Sequence, residues 1–205
     1  MQAGQRFEIS DNSAVYLAEV AEARGDRVIF QVQEPIDSLL PPVAVTLCAA
    51  LIKFDRFEWI VEKATELGVE RIIPVATARI EKGLFEASRK RAERWERIAR
   101  ESSQQSRRAR LPEILPAVRF EASLTTQADA RIFLEEETAP PILGALPQGF
   151  HSAALLLGPE GGWVDREREL AAAAGWVAAS LGPQVLRAET AAVAALAVVI
   201  AAALR

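Results

Sequence analysis

Two short stretches near the C-terminal end concentrate the residues whose types and spacing suit chemistry: 155–162, LLLGPEGG, and 181–191, LGPQVLRAETA. In the first, the glycines let the backbone turn sharply and come close to a ligand. A helix following directly presents free N–H groups at that point. A phosphate would suit such a helix start, but Glu160 puts a carboxylate in the same loop. This favours a ligand carrying positive charge, hydroxyls or amine donors. In the second, Val185 and Leu186 offer apolar surface suited to a flat ring such as adenine, and Arg187, Glu189 and Thr190 add charge and a hydroxyl where the last helix begins. The plain alternatives are an ordinary tight turn at GPEGG and a surface ion pair between Arg187 and Glu189. Two glycine–proline loops, each closing a strand and opening a helix, argue against both being idle.

Other chemistries lack their residues. The sequence has no GxGxxG, no GxxxxGK[ST] and no Cys/His cluster for a metal. His151 is the single histidine and sits in a turn beside Gly149, where a surface residue is expected. Cys48, the single cysteine, lies in an apolar run and is expected to be a small core residue in a reducing, cytoplasmic setting.

Elements must hold these loops. Short strands are expected at 6–9, 15–20 and 28–32, separated by Asp11, Asn12, Gly25 and Asp26, with Pro35, Pro41 and Pro42 marking a linker. The apolar run 43–51 suits a buried parallel strand. Asp55 and Glu58 have capping-box spacing for a helix whose inner face is Phe57, Ile60, Val61, Ala64 and Leu67, stopped by Gly68. A strand at 69–75 and a helix at 88–103, with Trp95, Ile98, Ala99 and Ser102 inward, come next. Strands at 131–134, 153–157 and 177–181 and helices at 165–174 and 190–204 complete an α/β protein with a parallel sheet covered by helices. Such sheets bind ligands at the C-terminal edge of their strands, where both loops would lie.

Charge is uneven. Residues 89–110 hold nine basic and three acidic side chains, net +6, leaving −10 for the rest of a 205-residue chain whose total is −4. That is the footprint of local contact with a polyanion, the alternative being a solvated helix face partly compensated by Glu93, Glu96 and Glu101. The apolar run 191–204 is too short for the roughly 20 residues of a membrane span, so burial in a core or, preferably, a subunit interface is expected.

The stretches 53–75 (KFDRFEWIVEKATELGVERIIPV), 104–114 (QQSRRARLPEI), 155–162 and 181–191 together resemble the RsmE-type methyltransferases of the SPOUT superfamily. The resemblance implies a SPOUT-type parallel sheet with a C-terminal trefoil knot near 153–205, forming a methyltransferase domain at 41–205. A partial PUA-like β module at 1–40 would precede it, since the family's longer barrel has strands before the position matching Gly4. It implies transfer of a methyl group from S-adenosylmethionine (SAM) to N3 of a uridine in 16S ribosomal RNA of the small ribosomal subunit. SAM would be held by Leu157, Gly158, Pro159, Glu160, Gly161 and Gly162, and by Leu181, Gly182, Val185, Leu186, Arg187, Glu189, Thr190 and Ala191. Lys53, Arg79, Gln105, Arg107, Arg108 and Arg110 match positions toward RNA or the dimer-related active site. A cytoplasmic homodimer joined through the knot region and C-terminal helix is implied, with no metal and no membrane. Where the family often has Ser or Thr, this chain has Val164, and Asp165 is expected to cap the next helix instead.

Uridine N3 carries a proton that must leave before methylation, so a base, or cations that stabilise the uridine anion, are needed. Arg187 or an arginine among 107–110 is expected to offset that charge, and Glu160 and Glu189 are the candidate bases; Arg187 and Glu189 are the catalytic pair expected. The rivals are a nucleotide-binding hydrolase or dehydrogenase, a SAM-binding RNA-binding protein without activity, and a methyltransferase for another RNA site.

Overall fold

Alternating and continuous apolar runs build two different sheets. The computed structural model describes residues 1–37, 41–136 and 138–204. Alternating segments near the N-terminus pair antiparallel as a meander, β1 (Arg6–Ser10), β2 (Val15–Arg24) and β3 (Arg27–Ile36). Its register shifts between Leu17 and Ala18 and between Val20 and Glu22, bulges that bend and twist the ribbon. Pro35, expected in a linker, instead lies within β3 opposite Tyr16, on an edge strand that needs no donor from it. Residues 38–40, at the expected boundary between 1–40 and 41–205, lie outside the described residues.

The second sheet is parallel throughout. Its strands are β4 (Ala44–Ala50), β5 (Arg71–Ala76), β6 (Glu113–Ile114), β7 (Val118–Arg119), β8 (Ala130–Leu134), β9 (Ser152–Leu157) and β10 (Val177–Ala179). They run in the order β10-β8-β9-β4-β5-β6, with β7 also on β5. Strand pleating sends alternate residues to opposite faces. Leu47 and Ala49 of β4 and Leu155 and Leu157 of β9 join one core with Phe57, Ile60, Trp95 and Leu196. Cys48, Ala154, Leu156 and Phe133 join the other with Phe120, Trp163 and Trp176.

Helices α1 (Phe54–Glu66), α2 (Leu84–Ser88), α3 (Ala92–Gln105), α4 (Phe120–Ser123), α5 (Ile142–Ala145), α6 (Asp165–Ala173) and α7 (Ala188–Ala202) connect the strands. Several expectations need correction. Lys53 is the N-cap of α1 and no side chain caps it. Glu58 cannot complete the expected box because Arg94 and Arg91 of the neighbouring segment hold it, at 2.7 and 3.5 Å. The helix expected at 88–103 is divided among α2, a 3₁₀ turn at Arg89–Arg91, and α3. Asp165 does not cap α6: its side chain is 97 % exposed, and the Val164 N–H is met by the Glu167 carboxylate at 3.1 Å. The terminal helix is first of all core, burying Ala188, Ala192, Ala195, Leu196 and Val199. Among the described residues no helix is long and apolar enough to cross a membrane.

Candidate methyl-donor site

Parallel β8, β9 and β10 are neighbours, so the loops leaving them open on one edge of the sheet. They enclose a cavity of about 320 Å³. From the first expected loop it is lined by Leu157, Gly158, Pro159, Glu160 and Gly162, and from the second by Leu181, Gly182, Val185, Leu186, Arg187 and Ala191. Gly161, Glu189 and Thr190 do not line it. Gly161 turns outward under Arg79, whose guanidinium donates to its carbonyl. Glu189 makes no pair with Arg187; its Oε2 is buried with no hydrogen-bond partner among the described residues.

The cavity also has walls that the sequence reading missed. Leu134, Glu135 and Glu136 come from the end of β8, and Trp163, Ser180, Gln184 and Ala188 from the flanks of the two loops. The β8 contribution had a signal, an apolar run ending in acidic residues, but an acidic run is also the usual mark of a solvated turn. Arg56 arrives from the first turn of α1 and forms an ion pair with Glu160, so the carboxylate expected to face the ligand is engaged by a cation.

Backbone geometry fixes the first loop. Gly162 has φ +70°, and a Cβ there would collide with the Glu136 carboxylate. The Trp163 indole N–H donates to the Leu134 carbonyl at 2.8 Å, tying the loop after β9 to the end of β8. Arg168 of α6 reinforces the same junction. It grips Glu135 with two bonds, 2.7 and 3.1 Å, and donates to the Trp163 carbonyl at 3.0 Å. Such forked pairing is directional as well as strong. On the second loop the Ser180 hydroxyl donates to the Gly182 carbonyl at 3.0 Å and accepts the Gly182 N–H at 3.1 Å. Arg187 then stands as the N-cap of α7, exposed at the cavity's lip.

The cations expected to meet RNA fall into two kinds. Lys53, Arg79, Arg107 and Arg110 are exposed, as is Gln105. Arg107 holds φ +55°, a left-handed turn at the end of α3 where glycine is usual. Arg108 is different. Its Nη1 and Nη2 donate inward to the carbonyls of Thr65 and Val69, both at 2.8 Å, and burial lowers its pKa. It clamps the end of α1 to the start of the next strand, so it departs from the expected RNA-facing role. The N-terminal meander touches this segment: Ser10 donates to the Ala109 carbonyl, and the Leu111 N–H donates to Asn12 Oδ1 at 2.7 Å. Cys48 and His151 are placed as expected, the first buried and the second exposed. Among the described residues no group of three His, Cys, Asp or Glu is placed to hold a metal.

Comparison with known proteins bears on what this cavity is. An RNA methyltransferase domain family matches residues 40–200. The ribosomal RNA small subunit methyltransferase E of Aquifex aeolicus is 30 % identical over 195 residues, which cover 92 % of this chain and 82 % of that protein. This chain belongs to the ribosomal RNA small subunit methyltransferase E family. The Synechocystis member of that family is 35 % identical over 205 residues, 96 % of this chain and 66 % of that protein. The chain thus spans just under two thirds of the Synechocystis family member's length. The family member from Neisseria gonorrhoeae, whose crystal structure has S-adenosyl methionine bound, superposes with a TM-score of 0.89 at 27 % identity, covering 97 % of this chain and 83 % of the other. The α/β fold with its parallel sheet is therefore the family's SPOUT-like fold.

Proposed function

We propose that this chain is a SAM-dependent methyltransferase acting on N3 of a specific uridine in the 16S RNA of the small ribosomal subunit. The observation that carries this is the cavity where the loops after β8, β9 and β10 converge, lined by glycines, apolar side chains and three glutamates. Its volume is within the range of small-molecule sites. SAM suits the residues present. Leu134, Leu157, Leu181, Val185 and Leu186 give an adenine ring apolar walls, and the exposed Glu136 suits a ligand bearing positive charge. When bound, SAM supplies an electrophilic methyl group on a positively charged sulfur.

The chain's own residues would do the rest. The loops hold the donor still, which is most of what a one-step displacement asks of a protein. Arg187, exposed at the lip, would offset negative charge developing on the uracil. Of the two candidate bases Glu160 is already engaged by Arg56, and Glu189, which follows the cavity-lining Ala188 without lining the cavity itself, would need its side chain to turn toward the substrate to take the N3 proton. Lys53 and Arg79, beyond the C-terminal ends of β4 and β5, and Arg107 and Arg110, just before β6, would grip RNA phosphates.

The wider architecture belongs to the same proposal. A division into a partial PUA-like module at 1–40 and a methyltransferase domain at 41–205 is supported by the two separate sheets. A trefoil knot near 153–205 is supported by β10 lying beyond β8 while α7 returns to pack on α1 and β9. Homodimerisation through α7 is supported by the apolar stripe it leaves uncovered, where Ala197 and Ala201 are exposed. A cytoplasmic setting accords with a ribosomal substrate and a buried free thiol. Calorimetry with SAM, NAD and ATP tests the cofactor. Binding of SAM alone is expected; binding of NAD or ATP without SAM would refute the proposal.

A further inference from the structure

Glu167, in the first turn of α6, is only 4 % exposed, yet among the described residues no cation pairs with it. Its two oxygens are divided between two loops. Oε2 accepts the Val164 N–H at 3.1 Å, and Oε1 accepts the Ala78 N–H at 2.8 Å. The first bond caps the helix. The second reaches 89 residues back along the chain, to the loop that leaves β5. Burying a carboxylate is unfavourable unless hydrogen bonds compensate it. Capping alone would not require that burial, since a Ser, Thr or Asp at position 164 would do it at the surface.

The loop that Glu167 grips carries an exposed arginine. Arg79 follows Ala78, and its guanidinium donates to the Gly161 carbonyl. Its Cδ and Cβ would stand 3.5 and 3.6 Å from a Cβ on Gly161, so the chain lies flat on that glycine. The β5 loop and the 158–164 loop are therefore stapled at two points, by Glu167 through backbone and by Arg79 through side chain. All are charge-assisted, those of Glu167 part-buried and that of Arg79 exposed, and such bonds hold a fixed geometry.

We propose that Glu167 is a positioning residue for methyl transfer, one that holds the Arg79 loop and the donor loop as a single unit. RNA drawn onto Arg79 then meets the methyl donor in a fixed register. This rests on the chain being an RNA methyltransferase with Arg79 toward the RNA.

The test is a double-mutant cycle with Glu167→Gln and Arg79→Ala, using SAM and assembled small ribosomal subunits. Glutamine keeps one acceptor oxygen and turns an NH₂ toward the other N–H, breaking one staple while preserving shape. Glu167→Gln is expected to lower kcat/KM for subunits about tenfold, the effect of losing one hydrogen bond to a charged group. SAM affinity should change by less than about threefold, and the double variant should be no slower than Arg79→Ala alone. Losses that simply add would overturn the proposal, because Glu167 would then act independently of Arg79. Hydrogen exchange on the same variant needs no activity. Residues 77–82 and 158–164 should lose protection together, and a loss confined to α6 would overturn the proposal. A wild-type chain that transfers no methyl group would instead refute the functional reading, while hydrogen exchange would still decide the staple.

Discussion

Trp163 closes over Gly158: the indole N–H donates to the Leu134 carbonyl, and a Cβ on Gly158 would stand 3.0 Å from indole Cε2 and Nε1. Trp163 is itself 2 % exposed and packed against Phe133 and Phe120, so it has nowhere to retreat. Gly158→Ala should therefore overpack the site and destabilise the chain by about 1–3 kcal/mol. A drop of several degrees in Tm, with SAM affinity at least about tenfold weaker, is expected from thermal melts and calorimetry. An unchanged melt and unchanged affinity would mean that the tryptophan does not hold the loop.

Arg187 and Glu189 should separate activity from stability. Arg187 is exposed and Glu189 has a buried oxygen with no hydrogen-bond partner, so truncating either removes little that holds the fold. Arg187→Ala and Glu189→Ala should each cut methyl transfer by about 10²–10³, the scale of losing an electrostatic or acid–base group. Circular dichroism should show both folded. Full activity in both, measured with tritiated SAM, would remove them from the mechanism.

Neighbouring arginines should behave oppositely. Arg108→Ala forfeits two bonds, to the carbonyls of Thr65 at the end of α1 and Val69 just before β5, and should cost about 2 kcal/mol of stability in denaturant titrations. Arg110→Ala should leave stability within about 0.5 kcal/mol while weakening RNA binding and flattening its salt dependence by nearly one unit of slope. Arg107→Gly should do both, stabilising the chain by up to about 1 kcal/mol through relief of its positive φ, while binding RNA less tightly.

Burial pushes the Cys48 thiol up to about 11, from an ordinary value of 9.0. Alkylating reagents should fail to modify it near neutral pH until the protein unfolds, which mass spectrometry can follow. The native state holds the proton more tightly than the unfolded chain. Cys48 therefore supports the fold fully below pH 9 and progressively less as pH rises toward 11. Cys48→Ala or Cys48→Ser should remove that part of the alkaline destabilisation. Rapid native labelling at pH 8 would contradict the burial.

The loops after β9 and β10 were legible because glycine, proline and a preceding apolar run are local signals. Their convergence followed from parallel strands. What stayed hidden depends on partners far along the chain. Glu135 and Glu136 look like a solvated acidic turn until Trp163 and Gly162 close against β8. Glu167 looks like any acid in a first helical turn, and only the Ala78 N–H, reached through folding, explains its burial. Arg107, Arg108 and Arg110 are alike in composition; the left-handed turn at Arg107 sends the next side chain inward. Glu58 had capping-box spacing with Asp55, but two arginines from the segment packed alongside compete for it.

Transfer of labelled methyl from SAM to small ribosomal subunits, with the modified nucleotide mapped by mass spectrometry, tests the central claim most directly. The account predicts one 3-methyluridine in the 16S RNA, formed only when chain and SAM are both present. A chain that binds SAM yet leaves the RNA unlabelled, or that labels a position other than a uridine N3, would contradict it.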